Sequence, residues 1–194
     1  MPIAEAIAMS LFNTIGFDDG PFLPAHRGDV DLIGAVFSGL RLDGVLRTRV
    51  RRDGRNATQR IVRLIEGSRF GQHLQLILLQ GIAVAGFNVV DIQSLSRRLR
   101  IPVLVVSRRE PDQMAVRKAL LGSVRGGKRK WRLVERAGPS VKCGDVWIQC
   151  AGCPCGVAAS AIKRLTVNSH IPEPLRTAHL IAGGISSLPT RKRV

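Results

Sequence analysis

Leu74-Gln75-Leu76-Ile77-Leu78-Leu79 is a short apolar run of the kind a strand buried on both faces requires. Pro102-Val103-Leu104-Val105-Val106 is a second such run, and Gly86 to Arg98 between them reads as a helix. Strand, helix and strand in this order predict a right-handed parallel crossover. Upstream, Phe12-Asn13-Thr14-Ile15-Gly16-Phe17-Asp18 reads as a first strand that stops at the turn signal Asp18-Asp19-Gly20-Pro21. Val30 to Leu40 follows as a second strand, and Leu42-Asp43-Gly44-Val45 turns into a third that runs to Val50. Short turns between the three predict an antiparallel meander. Asn56-Ala57-Thr58 then opens a helix, with Ala57, Ile61, Leu64 and Ile65 on one stripe and Arg60 and Arg63 off it.

Downstream, residues 112–121 are predicted helical and Arg125-Gly126-Gly127-Lys128-Arg129-Lys130 a basic, flexible loop. Trp131 to Arg136 and Val146 to Cys150 are predicted strands, and Val157 to Thr166 and Leu175 to Ile185 helices, the last launched from Pro172-Glu173-Pro174. A meander followed by βαβ units predicts an α/β fold: a mixed sheet in ribonuclease-H-like order, flanked by helices. One domain over residues 1–194, with a lead at 1–11 and a basic tail at 186–194, accounts for the length.

Charge narrows the function. The formal net charge is +16, from 30 Lys and Arg against 14 Asp and Glu, although 45% of the residues are hydrophobic. Self-repulsion of this size is offset by a polyanionic partner, with nucleic acid first and an anionic membrane surface second. Most of the cations are arginines, whose guanidinium groups fork onto phosphate oxygens and stay charged. An arginine-rich thermophile surface would bring matching acids, and they are missing. Aromatic residues are 4% and Tyr is absent, so binding is expected to use phosphates and shape rather than stacking.

Two segments carry the excess. Residues 41–69 hold nine arginines against three acids, and residues 97–136 hold thirteen Lys or Arg against three acids. The expected nucleic-acid contacts are Arg47, Arg49, Arg51, Arg52, Arg55, Arg108, Arg109, Arg125, Lys128, Arg129 and Lys130. No apolar stretch is long enough to span a bilayer, and Met1 to Leu11 carries Glu5 without a positive leading segment. The expected location is cytoplasmic.

Few residues promise chemistry by themselves. Asp18 and Asp19 stand where a buried strand meets solvent, a place where carboxylates hold Mg²⁺, yet Asp-Asp-Gly-Pro also makes a plain turn. Asp53 precedes a helix, with Gly54 a good turn partner and Asn56 a good N-cap. Asp91 is placed inside the predicted helix, as an exposed acid or an active-site neighbour, and His179 on the last helix reads as a surface or packing histidine. Cys143, Cys150, Cys153 and Cys155 crowd into thirteen residues, and their spacing leaves a structural Zn²⁺ site, a disulfide and plain thiols all open.

Several motifs together resemble an archaeal family related to endonuclease V and sometimes called endonuclease dU. They are Gly16-Phe17-Asp18-Asp19-Gly20-Pro21-Phe22, Asp53-Gly54-Arg55-Asn56-Ala57-Thr58, and the run from Leu79-Gln80-Gly81 through Ala85-Gly86-Phe87-Asn88 to Asp91. Ile101 to Val106 and Ile171-Pro172-Glu173-Pro174-Leu175-Arg176-Thr177-Ala178-His179 complete the set, in order over nearly the whole chain. The resemblance implies a metal-dependent nuclease scaffold that recognises deaminated bases. Carried over, Asp18 with Asp19 takes the first carboxylate place and Asp53 the second. The third falls on Gln80, a neutral amide, and a late histidine of endonuclease V falls on Cys153. Two readings follow: a nucleic-acid binder, RNA ahead of DNA and possible in a ribosomal particle, with a degenerate Mg²⁺ site; or an active Mg²⁺-dependent endonuclease in repair. A metabolic enzyme on the same fold is a remote third.

Overall fold

The computed structural model describes residues 13–186. Its strands and helices run β1 (Asn13–Asp19), β2 (Asp29–Ser38), β3 (Arg41–Arg51), α1 (Ala57–Glu66), β4 (Leu76–Gln80), β5 (Ala83–Val84) and β6 (Asn88–Val89). They continue with α2 (Ile92–Leu99), β7 (Val103–Ser107), α3 (Gln113–Ser123), α4 (Gly127–Ala137), β8 (Val141–Cys143), β9 (Val146–Ala151), α5 (Cys155–Leu165) and α6 (Glu173–Gly184). Seven strands form one sheet in the order β3-β2-β1-β4-β7-β9-β8. The expected meander is β1, β2 and β3, paired antiparallel. β1, β4 and β7 then pair in parallel, and β9 returns antiparallel to β7.

The sheet is covered on both faces because its central strands alternate apolar residues on each. Ile15, Phe17, Ile77 and Leu79 join Ile61 and Ile65 of α1 and Ile92 and Leu95 of α2 in one core. Leu76, Leu78 and Leu104 face the other way, onto Val157, Ala161 and Ile162 of α5 and Leu175 of α6. α6 lies directly on β1: a Cβ at Gly16 would collide with the backbone of Pro174 and Leu175. That close approach fixes the helix over the strand end that carries Asp18.

Three segments differ from expectation. The turn expected at 42–45 lies at Gly39-Leu40 instead, and residues 42–45 belong to β3. The predicted helix over 86–98 is a β5–β6 hairpin followed by a helix that starts only at Ile92. Ala85 (φ 48°) and Gly86 (φ 83°) form a tight turn no helix accommodates, and Asp91 caps α2 through Ser94 N at 3.0 Å. The predicted loop at 125–130 and strand at 131–136 are largely the single helix α4. Lys130, Val134 and Ala137 form its buried face, so the helical stripe begins on a lysine and is invisible to hydropathy. The lead at 1–11 and all of the tail but Ser186 lie outside the described residues. No helix among the described residues is long and apolar enough to cross a membrane.

Candidate functional site

Two distinct arrangements form at the end of the sheet where β1 and β4 finish. The first is built on Asp18. It is the last inward residue of β1 on the α6 side, fully buried, and its Oδ2 is hydrogen-bonded to Nδ1 of His179 at 2.7 Å. The parallel register of β1 and β4 pairs Phe17 with Leu79, and one step further sets Asp18 beside Gln80. The Oε1 of Gln80 is buried with no hydrogen-bond partner among the described residues. Asp19 follows Asp18 on the strand and therefore faces the opposite side, toward α1 and α2. Buried polar atoms are normally satisfied, so the open acceptor on Gln80 marks a place where water or a ligand group belongs.

The second arrangement is a basic cleft of about 1180 Å³ between the turn that leaves β3 and the turn that joins α3 to α4. Arg27, Arg51, Arg52, Arg55, Arg125, Arg129 and Lys130 line it, and Asp53 is the acid among the lining residues. Asp53 holds the cleft together. It sits at φ 50°, its Oδ1 accepts from Phe87 N at 2.9 Å, its Oδ2 pairs with Arg52 at 3.2 Å, and its carbonyl accepts from Lys130 Nζ at 2.6 Å. Gly86 is required beside it, since a Cβ there would strike the Asp53 carboxylate. Lys130 is 5% exposed, and burial holds its ammonium below the usual lysine range although the nearby Asp53 charge pulls it up.

Of the expected contacts, Arg51, Arg52, Arg55, Arg125, Arg129 and Lys130 come together in this cleft. Arg47 and Arg49 do not: they lie on exposed β3 and pair with Asp31. Lys128, Arg108 and Arg109 are exposed outside its lining. Arg27 was missed, a lone cation in an acidic N-terminal stretch. His179 was missed as well, since its partner Asp18 stands 161 residues away. Asp18, Asp19 and Asp53 are not gathered. Among the described residues no three His, Cys, Asp or Glu side chains converge as a metal ion requires. Cys143, Cys150 and Cys153 pack at the edge of the α5–α6 core, and the side chain of Cys155 lies outside what the structure describes. A hydrogen bond with Cys150 pulls the Cys153 thiol below its usual range against the effect of burial, and burial pushes Cys143 up.

A family model described as Endonuclease dU matches residues 10–186. The chain belongs to the Endonuclease dU family. It is 52% identical over 176 residues to a UPF0215 protein of Deinococcus radiodurans, covering 91% of this chain and 90% of that protein. Among solved structures, a protein of unknown function from Archaeoglobus fulgidus superposes with a TM-score of 0.85 at 33% identity, over 91% of this chain and 99% of that one. Ciona intestinalis endonuclease V, in complex with a 24-mer DNA containing an inosine, superposes with a TM-score of 0.56 at 14% identity, over 92% of each chain. At that identity the likeness is one of fold, and it bears out the ribonuclease-H-like sheet and the endonuclease V scaffold of this family member.

Proposed function

We propose that the chain binds nucleic acid through the basic cleft, RNA ahead of DNA and as part of a ribonucleoprotein such as a ribosomal particle, on a nuclease scaffold whose metal site is weakened. The observation that carries this is the lining of the cleft, seven cations against one acid whose charge is already spent on Arg52. A pre-formed concave surface of that sign collects phosphates by counterion release. The endonuclease V of Ciona, on the same scaffold, is itself seen with DNA. RNA takes first place because the lining offers forked donors for phosphates but little aromatic surface for stacking, and the 2′-hydroxyls of RNA add hydrogen-bonding groups beside those phosphates.

A weakened metal site follows from the donor set. Beside Asp18 stands Gln80, which would lend Mg²⁺ a neutral carbonyl oxygen and no charge. Asp19 faces the other side of the sheet, and Asp53 serves the cleft. Mg²⁺ gives up its hydration shell reluctantly, so one carboxylate already bonded to a histidine holds it poorly. The expected result is no Mg²⁺-dependent cleavage of inosine- or uracil-containing strands, with binding retained, and a rise in Mg²⁺ affinity in Gln80→Asp. The endonuclease reading is favoured by a single observation, the buried Asp18–His179 pair at a strand end. Robust cleavage by the unmodified protein, lost in Asp18→Ala, puts that reading first.

A further inference from the structure

A second cleft of about 570 Å³ lies on the other side of α4's first turn, lined by residues of α1 and α2. It shares Gly54, Arg55, Arg129 and Lys130 with the larger cleft, so the two adjoin at a waist. The second half adds Arg63 and Arg98.

The acids of this groove are already engaged. Asp53 pairs with Arg52, Glu66 with Arg98, and Asp91 with Arg136. Arg27, Arg55, Arg63, Arg125 and Arg129 are left with no hydrogen-bond or ion-pair partner for their guanidinium groups among the described residues, and all five line the groove. The exposed arginines of β3 have acids beside them, as Arg41 has Asp43 and Arg47 has Asp31, whereas arginines outside the groove with no partner among the described residues, such as Arg108 and Arg109, are not gathered in a cleft. Lys128, Arg129 and Lys130 also occupy the first turn of α4, where the helix dipole disfavours cations and no acid stands among them. An anion along the groove relieves both costs. The Lys130–Asp53 hydrogen bond ties α4 to the turn that leaves β3 at the waist and fixes the two sides relative to each other in advance.

We infer that the two clefts form one track for a single sugar–phosphate backbone, gripped without regard to base sequence, with Arg63 as its far contact. This rests on the nucleic-acid reading above and deepens it. The bases turn outward, because Phe87 and the His26 ring are the planar side chains the lining offers for stacking. A track of this kind reads charge and spacing rather than base edges.

The test is equilibrium binding of synthetic single-stranded RNA of about 4 and about 16 nucleotides, the span of sites known for single strand-binding domains. Oligo(U) and oligo(A) of equal length are expected to bind within a factor of about three of each other, and a neutral methylphosphonate oligomer not at all. Arg63→Glu weakens the long strand at least tenfold and leaves the short one unchanged, whereas Arg129→Glu, at the waist, weakens both. Circular dichroism checks that both variants fold. A base preference beyond tenfold, equal competition by the neutral oligomer, or Arg63→Glu acting equally on both lengths overturns the track. Failure of the unmodified protein to bind any strand overturns the nucleic-acid reading itself.

Discussion

Removing Arg125 and Arg129 together isolates the electrostatic part of binding. Four cations of the larger cleft, Arg27, Arg55, Arg125 and Arg129, have no partner among the described residues, so each is available to a phosphate. With about 0.7 counterions released per phosphate on a single strand, four contacts give a slope of log K against log salt near −2.8. Raising salt from about 50 to about 200 mM then costs roughly fiftyfold in affinity. Arg125→Ala with Arg129→Ala halves the contacts, so the slope falls to about −1.4 and the same salt step costs roughly sevenfold. Fluorescence anisotropy with a labelled RNA oligomer at several salt concentrations measures both slopes. Both residues are exposed, at the turn into α4 and on its first turn, so the double variant should melt within a degree or two of the parent. An unchanged slope in the variant refutes the assignment of the cleft, and a flat affinity for the parent refutes phosphate binding altogether.

Lys130 gives a pH signature. Its pKa is lowered by burial, so the unfolded chain binds more protons than the folded one between the lowered value and the usual value of about 10.4. Its contribution to stability should therefore rise with pH in that window, read as urea midpoints of the parent minus Lys130→Met from pH 8 upward; a flat difference is the contrary outcome. Gly127→Ala places a Cβ against the carbonyl of Leu120 and should cost about 1–3 kcal/mol in denaturant titration by wedging the α3–α4 turn. Cys150→Ala removes the hydrogen bond that lowers Cys153, so alkylation of Cys153 near neutral pH should slow several-fold, as mass spectrometry of the modified peptide would record. Metal analysis of the purified protein decides the remaining possibility for these thiols: a structural Zn²⁺ gives about one ion per chain and chelation destabilises the fold.

How much of the fold is legible in the sequence depends on whether burial follows hydropathy. The runs at 74–79 and 102–106 are buried on both faces and lie within a residue or two of their expected bounds. α1 is equally plain, because Ala57, Ile61 and Ile65 repeat at helical spacing and are buried. The failures come where a polar residue takes a core position or a conformation is set from afar. Lys130 is buried on the strength of one carbonyl acceptor 77 residues away, and without it the stripe of α4 reads as a strand between charged loops. The β5–β6 hairpin is two residues per strand, too short for any periodicity, and is signalled by Ala85-Gly86 alone.

The candidate site was half legible for the same reason. Arginine excess shows in composition, but which arginines act together depends on which acids remain to neutralise them, and that is a tertiary fact. Arg47 and Arg49 belong to a densely basic segment and yet face Asp31 on the neighbouring strand, whereas Arg27, alone in its segment, faces the cleft. Asp53 makes the point most sharply. Its place before a helix suits a metal ligand and a turn equally well in sequence. In the fold its carboxylate, carbonyl and amide are each taken, by Phe87 and Arg52, by Lys130, and by Ala85 respectively. An acid so committed spends its charge on shaping a basic cleft. Replacing it by Asn keeps the Phe87 contact and removes the charge facing Arg52, which the carbonyls of Pro24 and His26 still hold, so it is expected to make the cleft more positive rather than abolish a metal site. RNA affinity kept or raised in Asp53→Asn, with Mg²⁺ affinity unaltered, is the outcome this requires, and calorimetric titration of both ligands against the variant decides it.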